Sequence, residues 1–155
     1  MGFTMKILID ADACPVVDIT VRLSAQYGKK CIIICDTAHY IRRDGAETIT
    51  AEKGADSVDF RLVNLVEKGD IAVTQDYGLA AMCLARKATP INQNGLIFTD
   101  DNIEKLIYTR FVSKKIRMAG GRTKGPSKRT KEQDEDFEKT LRMILDKEKN
   151  NGENR

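Results

Sequence analysis

The hydrophobic positions of this chain alternate between two rhythms. Lys6-Ile-Leu-Ile-Asp10 and Cys31–Cys35 are short, continuous apolar runs, the pattern of strands covered on both faces. Between them Val16, Ile19, Leu23 and Tyr27 recur at helical spacing, with Pro15 suited to the first turn and Gly28 to the stop. Residues 37–45 read as a polar loop and Glu47–Thr50 as a short strand. Gly54 opens a second helix, with Val58, Leu62, Leu65 and Val66 on its face and Gly69 at its end. Further strands are predicted at Ile71–Thr74, Thr89–Asn92 and Leu96–Thr99, and helices at Tyr77–Lys87 and around Ile103, Leu106 and Ile107, the latter capped by Asp100 or Asp101. Asn94-Gly95 is a turn signal.

Strands alternating with helices predict an α/β fold of three layers: a mainly parallel sheet with helices on both faces. The patterned sequence, residues 5–148, fits a single domain. From about 113 to 131 glycines and basic residues predict a flexible loop, followed by a last helix over about 133–147 with Phe137, Leu141, Ile144 and Leu145 on one side. Residues 149–155 are expected to form a disordered tail. The last helix can pack on its own domain or against a second copy, so a homodimer is open.

Composition narrows the class. Hydrophobic residues make up 41% of the 155, enough for a core, and no apolar run approaches the roughly 20 residues of a membrane helix. With no basic-then-apolar leader, the expected location is cytoplasmic and no membrane partner is expected. Cys14, Cys31, Cys35 and Cys83 lack the spacing of a disulfide scaffold or a zinc site and read as free thiols. The net charge is only +3, yet Lys114, Lys115, Arg117, Arg122, Lys124, Lys128, Arg129 and Lys131 follow one another without an acid. The remainder is net acidic, and such a basic segment suits a polyanion. A solvated loop is the bland alternative.

Ligands of open α/β sheets bind beyond the carboxyl ends of the strands. Asp10 ends the first strand and Asp12 follows it; Asp76 lies just past Ile71–Thr74; Asp56 and Asp59 share a face at the start of the second helix. Together they form a candidate site for Mg²⁺ or Mn²⁺, whose hard oxygen ligands offset carboxylate repulsion and whose bound water can attack a phosphodiester. Thr74 and Asn102 are candidate holders of waters or phosphate oxygens. Acids at helix starts also serve as caps, which is the competing explanation for Asp56 and Asp101. An acid directly ending a buried strand, as Asp10 does, has little structural use.

The run Asp10-Ala-Asp-Ala-Cys-Pro15 resembles the opening of the YaiI/YqxD family of bacterial proteins. Gly54-Ala-Asp-Ser-Val-Asp59, Gly69-Asp-Ile-Ala-Val-Thr-Gln-Asp76 with Leu79-Ala-Ala81, Asn92 with Gly95, Tyr108–Arg110 and the stretch from Gly120-Gly-Arg122 to Gly125-Pro126 resemble its later blocks, in order. The resemblance covers about Lys6 to Leu145 and implies a PIN-like nuclease fold. It implies catalytic and metal-binding roles for Asp10, Asp59 and Asp76, with Asp12 and Asp56 as further ligands. The expected function is a divalent-metal-dependent nuclease acting on RNA in preference to DNA. Lys114, Lys115, Arg117, Arg122, Lys124, Lys128 and Arg129 would contact phosphates without reading sequence.

Two other classes compete. Asp10-Ala-Asp12 after a strand imitates the nucleophile and acid of haloacid-dehalogenase-type phosphatases, and Gly69-Asp70 with Asp76 echoes their metal motif, though that Gly-Asp precedes a strand instead of following one. A non-catalytic nucleic-acid or protein-binding domain would keep the acids for another purpose. No phosphate-binding Gly-rich loop with a following Lys-Ser or Lys-Thr is present, which excludes P-loop chemistry, and His39, the sole histidine, lies in the polar loop with no Ser-His-Asp set around it.

Overall fold

Five short strands pair side by side in the order β3-β2-β1-β4-β5, every pairing parallel. The computed structural model describes residues 4–52, 57–122 and 128–153. In chain order these hold β1 (Lys6–Asp10), α1 (Val17–Gln26), β2 (Lys30–Asp36), β3 (Glu47–Ala51), α2 (Ser57–Leu65), β4 (Ile71–Val73), α3 (Tyr77–Ala85), β5 (Thr89–Ile91), α4 (Asp100–Met118) and α5 (Lys131–Glu153). The order reverses at β1, so the chain grows outward through β2 and β3 and then returns to β1's other side with β4. Parallel strands place all their carboxyl ends along one sheet edge, and the reversal opens a crevice there between β1 and β4.

The two-residue period of the strands divides the core into two layers. Ile7, Ile9, Ile33, Ile71 and Val73 face α1 and α5, meeting Val21 and Leu23 and the fully buried Phe137, Leu141 and Leu145. Leu8, Ile32, Ile34 and Ala72 face α2 and α3, meeting Leu62, Leu79 and Cys83. Helices therefore cover both faces, as the alternating pattern predicts, and α5 packs on its own domain. Burial of its three large side chains stabilises that docking by about 1.5–3 kcal/mol each.

α4 is placed differently. It packs on α3 through a small cluster of Phe98 and Ile103 with Ala80, and Ile103 is its one buried residue. Its N-cap is Thr99: the Thr99 hydroxyl accepts from the Asn102 N–H (3.2 Å) while the Asn102 carboxamide accepts from the Thr99 N–H (2.9 Å). Asp100 and Asp101, expected as caps, instead sit in the first turn, where the helix dipole favours acids. The expected strand Leu96–Thr99 reduces to one antiparallel bridge between Ile91 and Ile97.

The expected loop over 113–131 also needs correction. α4 continues to Met118, so Lys114, Lys115 and Arg117 are helical. Gly120 (φ +84) then ends the helix, with its N–H on the Arg117 carbonyl and the Gly121 N–H on the Ile116 carbonyl. Gly125 and Pro126 of the expected loop, like Gly54 before α2, lie outside the described residues. At the other end, the expected tail is helical as far as Glu153.

Candidate functional site

The crevice at the carboxyl edge is a cleft of about 480 Å³ lined by Asp10, Asp12, Asp36, Asp59, Asp76 and Arg110, among others. β1 delivers Asp10 directly. Beyond it the chain turns sharply: Ala11 donates to the Ile34 carbonyl, Cys14 donates to the Ala11 carbonyl, and Ala13 adopts φ +54. A non-glycine residue in this left-handed region costs about 1–2 kcal/mol. The Gln75 side chain holds the turn by donating to the Ala13 carbonyl at 2.8 Å. Asp12 is thereby placed at the cleft, on a loop tied to both β2 and the segment after β4.

β4 ends at Val73, and Thr74, itself buried, carries the next link. Its hydroxyl donates to Asp10 Oδ2 at 2.8 Å and accepts from the Asp76 N–H at 3.0 Å. One side chain thus fixes the Asp10 carboxylate and the backbone of Asp76 relative to each other. Thr74 is a positioning residue here, not the free phosphate contact its sequence position suggests. Asp76 has a structural duty as well: its Oδ1 accepts from the Leu79 N–H at 3.1 Å as the N-cap of α3.

The electrostatics follow from this crowding. Burial pushes the Asp10 carboxyl above its ordinary value; the Thr74 hydrogen bond opposes that shift, and the neighbouring charges of Asp76 and Asp12 add to it. Asp59 enters from α2 and Asp36 from the end of β2. Asp36 is held below its ordinary value by His39, whose ring Nδ1 lies 2.9 Å from Asp36 Oδ1. Cys14 borders the same turn, but burial pushes its thiol up to about 11, so it is no thiolate nucleophile at neutral pH.

Among the described residues, Arg110 is the one basic side chain lining the cleft. Its guanidinium lies 5.6 Å from the centre of the Tyr77 ring, and Tyr77 in turn meets buried Phe98 edge-on at 5.6 Å. Among the described residues no carboxylate stands within ion-pair distance of Arg110, although it faces several across the cleft. A guanidinium supported on an aromatic stack, with its donors unclaimed by any described acid, is suited to an anionic ligand oxygen.

Of the acids singled out from the sequence, Asp10, Asp12, Asp59 and Asp76 converge on one cleft, and Asp56 lies outside the described residues. Their all-oxygen donor set suits a hard divalent cation, and a cation would relieve the repulsion that burial intensifies at Asp10. Among the described residues, no three His, Cys, Asp or Glu side chains already close into a metal-holding group. Asn102 is not part of the cleft; its side chain is used at the start of α4, donating to the Ile97 carbonyl at 2.9 Å. Asp70 lies at the opposite, amino end of β4, where Lys6 Nζ (2.6 Å) and the Lys6 and Glu67 N–H groups occupy its carboxylate. The Gly69-Asp70 echo of a phosphatase metal motif therefore stands on the wrong sheet edge.

The basic residues divide. Lys114, Lys115 and Arg117 are exposed on α4, Arg122 and Lys128 are exposed beyond it, and Lys124 lies outside the described residues. Arg129 is only partly exposed and its guanidinium is engaged within the chain. It clamps the start of α5, donating to Asp134 Oδ1 (2.8 Å), Asn94 Oδ1 (2.7 Å) and the Gln93 carbonyl (2.7 Å). Sequence reasoning missed Asp36 and Arg110. Asp36 was recoverable, because it ends β2 as Asp10 ends β1. Arg110 falls in the Tyr108–Arg110 block that carries the resemblance, but its place at the cleft was not readable, because only the packing of α4 on α3 brings it there.

A model of the family described as uncharacterized BCR, YaiI/YqxD family matches residues 8–147. A UPF0178 protein of Exiguobacterium sibiricum is 57% identical over 141 residues, covering 91% of this chain and 96% of the relative. UPF0178 proteins of Ruminiclostridium cellulolyticum and Natranaerobius thermophilus are 51% and 44% identical, each over 91% of this chain and over 92% and 96% of their own lengths. No solved structure matches the chain significantly.

Proposed function

The chain belongs to the YaiI/YqxD family, and from its cleft we propose that it is a divalent-metal-dependent nuclease acting on RNA. The observation that carries this reading is the meeting of Asp10, Asp12, Asp59 and Asp76, from three separate parts of the chain, in one cleft with Arg110. Folding brings together carboxylates that repel one another and leaves Asp10 partly buried, a cost that a ligand site explains better than stability does.

Asp10, Asp12, Asp59 and Asp76 would hold Mg²⁺ or Mn²⁺, with Asp56 a further candidate ligand. Bound there, the metal would supply Lewis-acid polarisation of the phosphoryl oxygens and a more acidic water. The remaining work belongs to the chain. Thr74 keeps the Asp10 carboxylate in one orientation through its hydroxyl. Asp76 is held by its cap to α3. Hydrolysis forms a P–O bond to the water oxygen and breaks one to a sugar oxygen, and the charge gathering on the phosphoryl oxygens is what the Arg110 guanidinium would meet.

Mn²⁺ binding by calorimetry and cleavage of a labelled RNA test this directly on wild type, Asp10→Asn and Asp76→Asn. Asn caps a helix about as well as Asp, so loss in Asp76→Asn would report the carboxylate and not an unfolded α3. Wild type should bind and cut, and both variants should lose both. Absence of Mn²⁺ binding at millimolar concentration, or full activity in Asp10→Asn, refutes the reading. Release of phosphate from a phosphomonoester with no RNA cleavage would move it to a phosphatase.

A further inference from the structure

Past the cleft, α4 carries a surface that the metal site does not explain. Arg110, Lys114 and Arg117 are spaced four and three residues apart and so share one helix face, beginning at the cleft and running about 10 Å along the axis. At about 100° per residue, Phe111 lies about 60° and Tyr108 about 120° round the helix from Lys114; they are 52% and 67% exposed, and Lys115 Nζ sits 5.1 Å from the centre of the Phe111 ring. Single exposed apolar residues need no explanation. Here Ile107, Ile116 and Met118 are exposed on the same helix too, while between Arg110 and Arg122 there is no acidic residue at all.

We propose that α4 is the binding track for a single-stranded polynucleotide leading out of the cleft, with phosphates on Arg110, Lys114 and Arg117 and bases stacked on Tyr108 and Phe111. The proposal rests on the nuclease reading for its starting point, the cleft. Two features choose this occupant. A second copy of the chain would bring the cations of one α4 against those of the other, and like charges facing each other disfavour such a pairing. A polyanion is complementary along the whole track. Aromatic rings beside cations favour a single strand over a duplex, because unpaired bases offer their faces for stacking and paired ones keep them inside the helix.

The test is fluorescence anisotropy in EDTA with a labelled single-stranded RNA and with the same RNA annealed to its complement, so that no cleavage intervenes. Wild type should bind the single strand more tightly. Tyr108→Ala and Phe111→Ala should each weaken single-strand binding at least about fivefold and leave duplex binding unchanged. Lys114→Ala should lower the salt-dependence slope by about 0.7. Equal affinity for both RNAs, or wild-type affinity in the Tyr108→Ala and Phe111→Ala pair, overturns the proposal. So does a dimer that these two substitutions dissociate without changing RNA affinity. The outcomes separate from those of the cleft: a protein that binds this way but cuts nothing keeps the track and loses the nuclease, and one whose track variants bind and cut as wild type does keeps the nuclease and loses the track.

Discussion

Replacing Arg129 by alanine separates two roles that the sequence alone cannot tell apart. As one of a run of basic residues it is expected to hold phosphate; in the structure it joins the start of α5 to the turn after β5. Its side chain is 24% exposed, and it donates to Asp134, Asn94 and the Gln93 carbonyl. The Asp134 pair is open to solvent on the acid's side and contributes about 0.5 kcal/mol. The two partly buried bonds to neutral acceptors contribute about 1 kcal/mol each. The loss on Arg129→Ala is then about 2–3 kcal/mol, which for a chain of this size lowers Tm by roughly 4–12 °C. Arg129→Lys keeps the charge but not the fork, so it should recover little of that loss. Thermal unfolding by circular dichroism gives the first number, and RNA anisotropy on the same proteins at 15 °C gives the second. The clamp predicts a large fall in Tm with RNA affinity within about twofold of wild type. A variant with unchanged Tm and several-fold weaker RNA binding would refute it and return Arg129 to the phosphate contacts.

Asp10→Asn should raise Tm at pH 7 in EDTA. Burial lifts the folded-state pKa of Asp10 above its ordinary value, so between the unfolded and folded values the native state holds more protons and stability falls as pH rises. The advantage of the variant should accordingly shrink as pH drops below the ordinary carboxylate range; a variant less stable than wild type at pH 7 would show that Asp10 is structural. His39, the sole histidine, should titrate in NMR above 6.5, because Asp36 favours its charged form. Asp36→Asn should bring that value down, and no movement would mean that the pair does not form in solution. Gly95→Ala should destabilise strongly, since its φ is +86 and a Cβ would stand 2.6 Å from the Asp136 carbonyl oxygen and 2.7 Å from Thr140 Oγ1. Wild-type Tm in that variant would refute the close approach of α5 to this turn.

Much of the fold is legible in the sequence because the relevant physics is local. A run such as Ile7-Leu8-Ile9 has apolar side chains on both sides of the pleat, which only a doubly covered strand can bury. The spacing of Phe137, Leu141 and Leu145 marks one helix face without any knowledge of its partner. Asp10 is recognisable from the conflict between an acid and the buried strand it ends, and Asp12, Asp59 and Asp76 follow from where parallel strands must end. Non-local matters behave differently. Arg110 reaches the cleft because α4 docks on α3, with its guanidinium against Tyr77, a contact between residues 33 positions apart. Arg129 and Lys114 look alike in the sequence, yet one is spent on Asn94, Gln93 and Asp134 while the other is exposed on α4. Asp76 reads as a free ligand until α3 is seen to begin on it. Side-chain chemistry and period determine which elements form and which residues are capable of a role; which of those residues are available for it depends on hydrogen bonds and packing across the chain, and that is decided only when the tertiary structure assigns each charged group its neighbours.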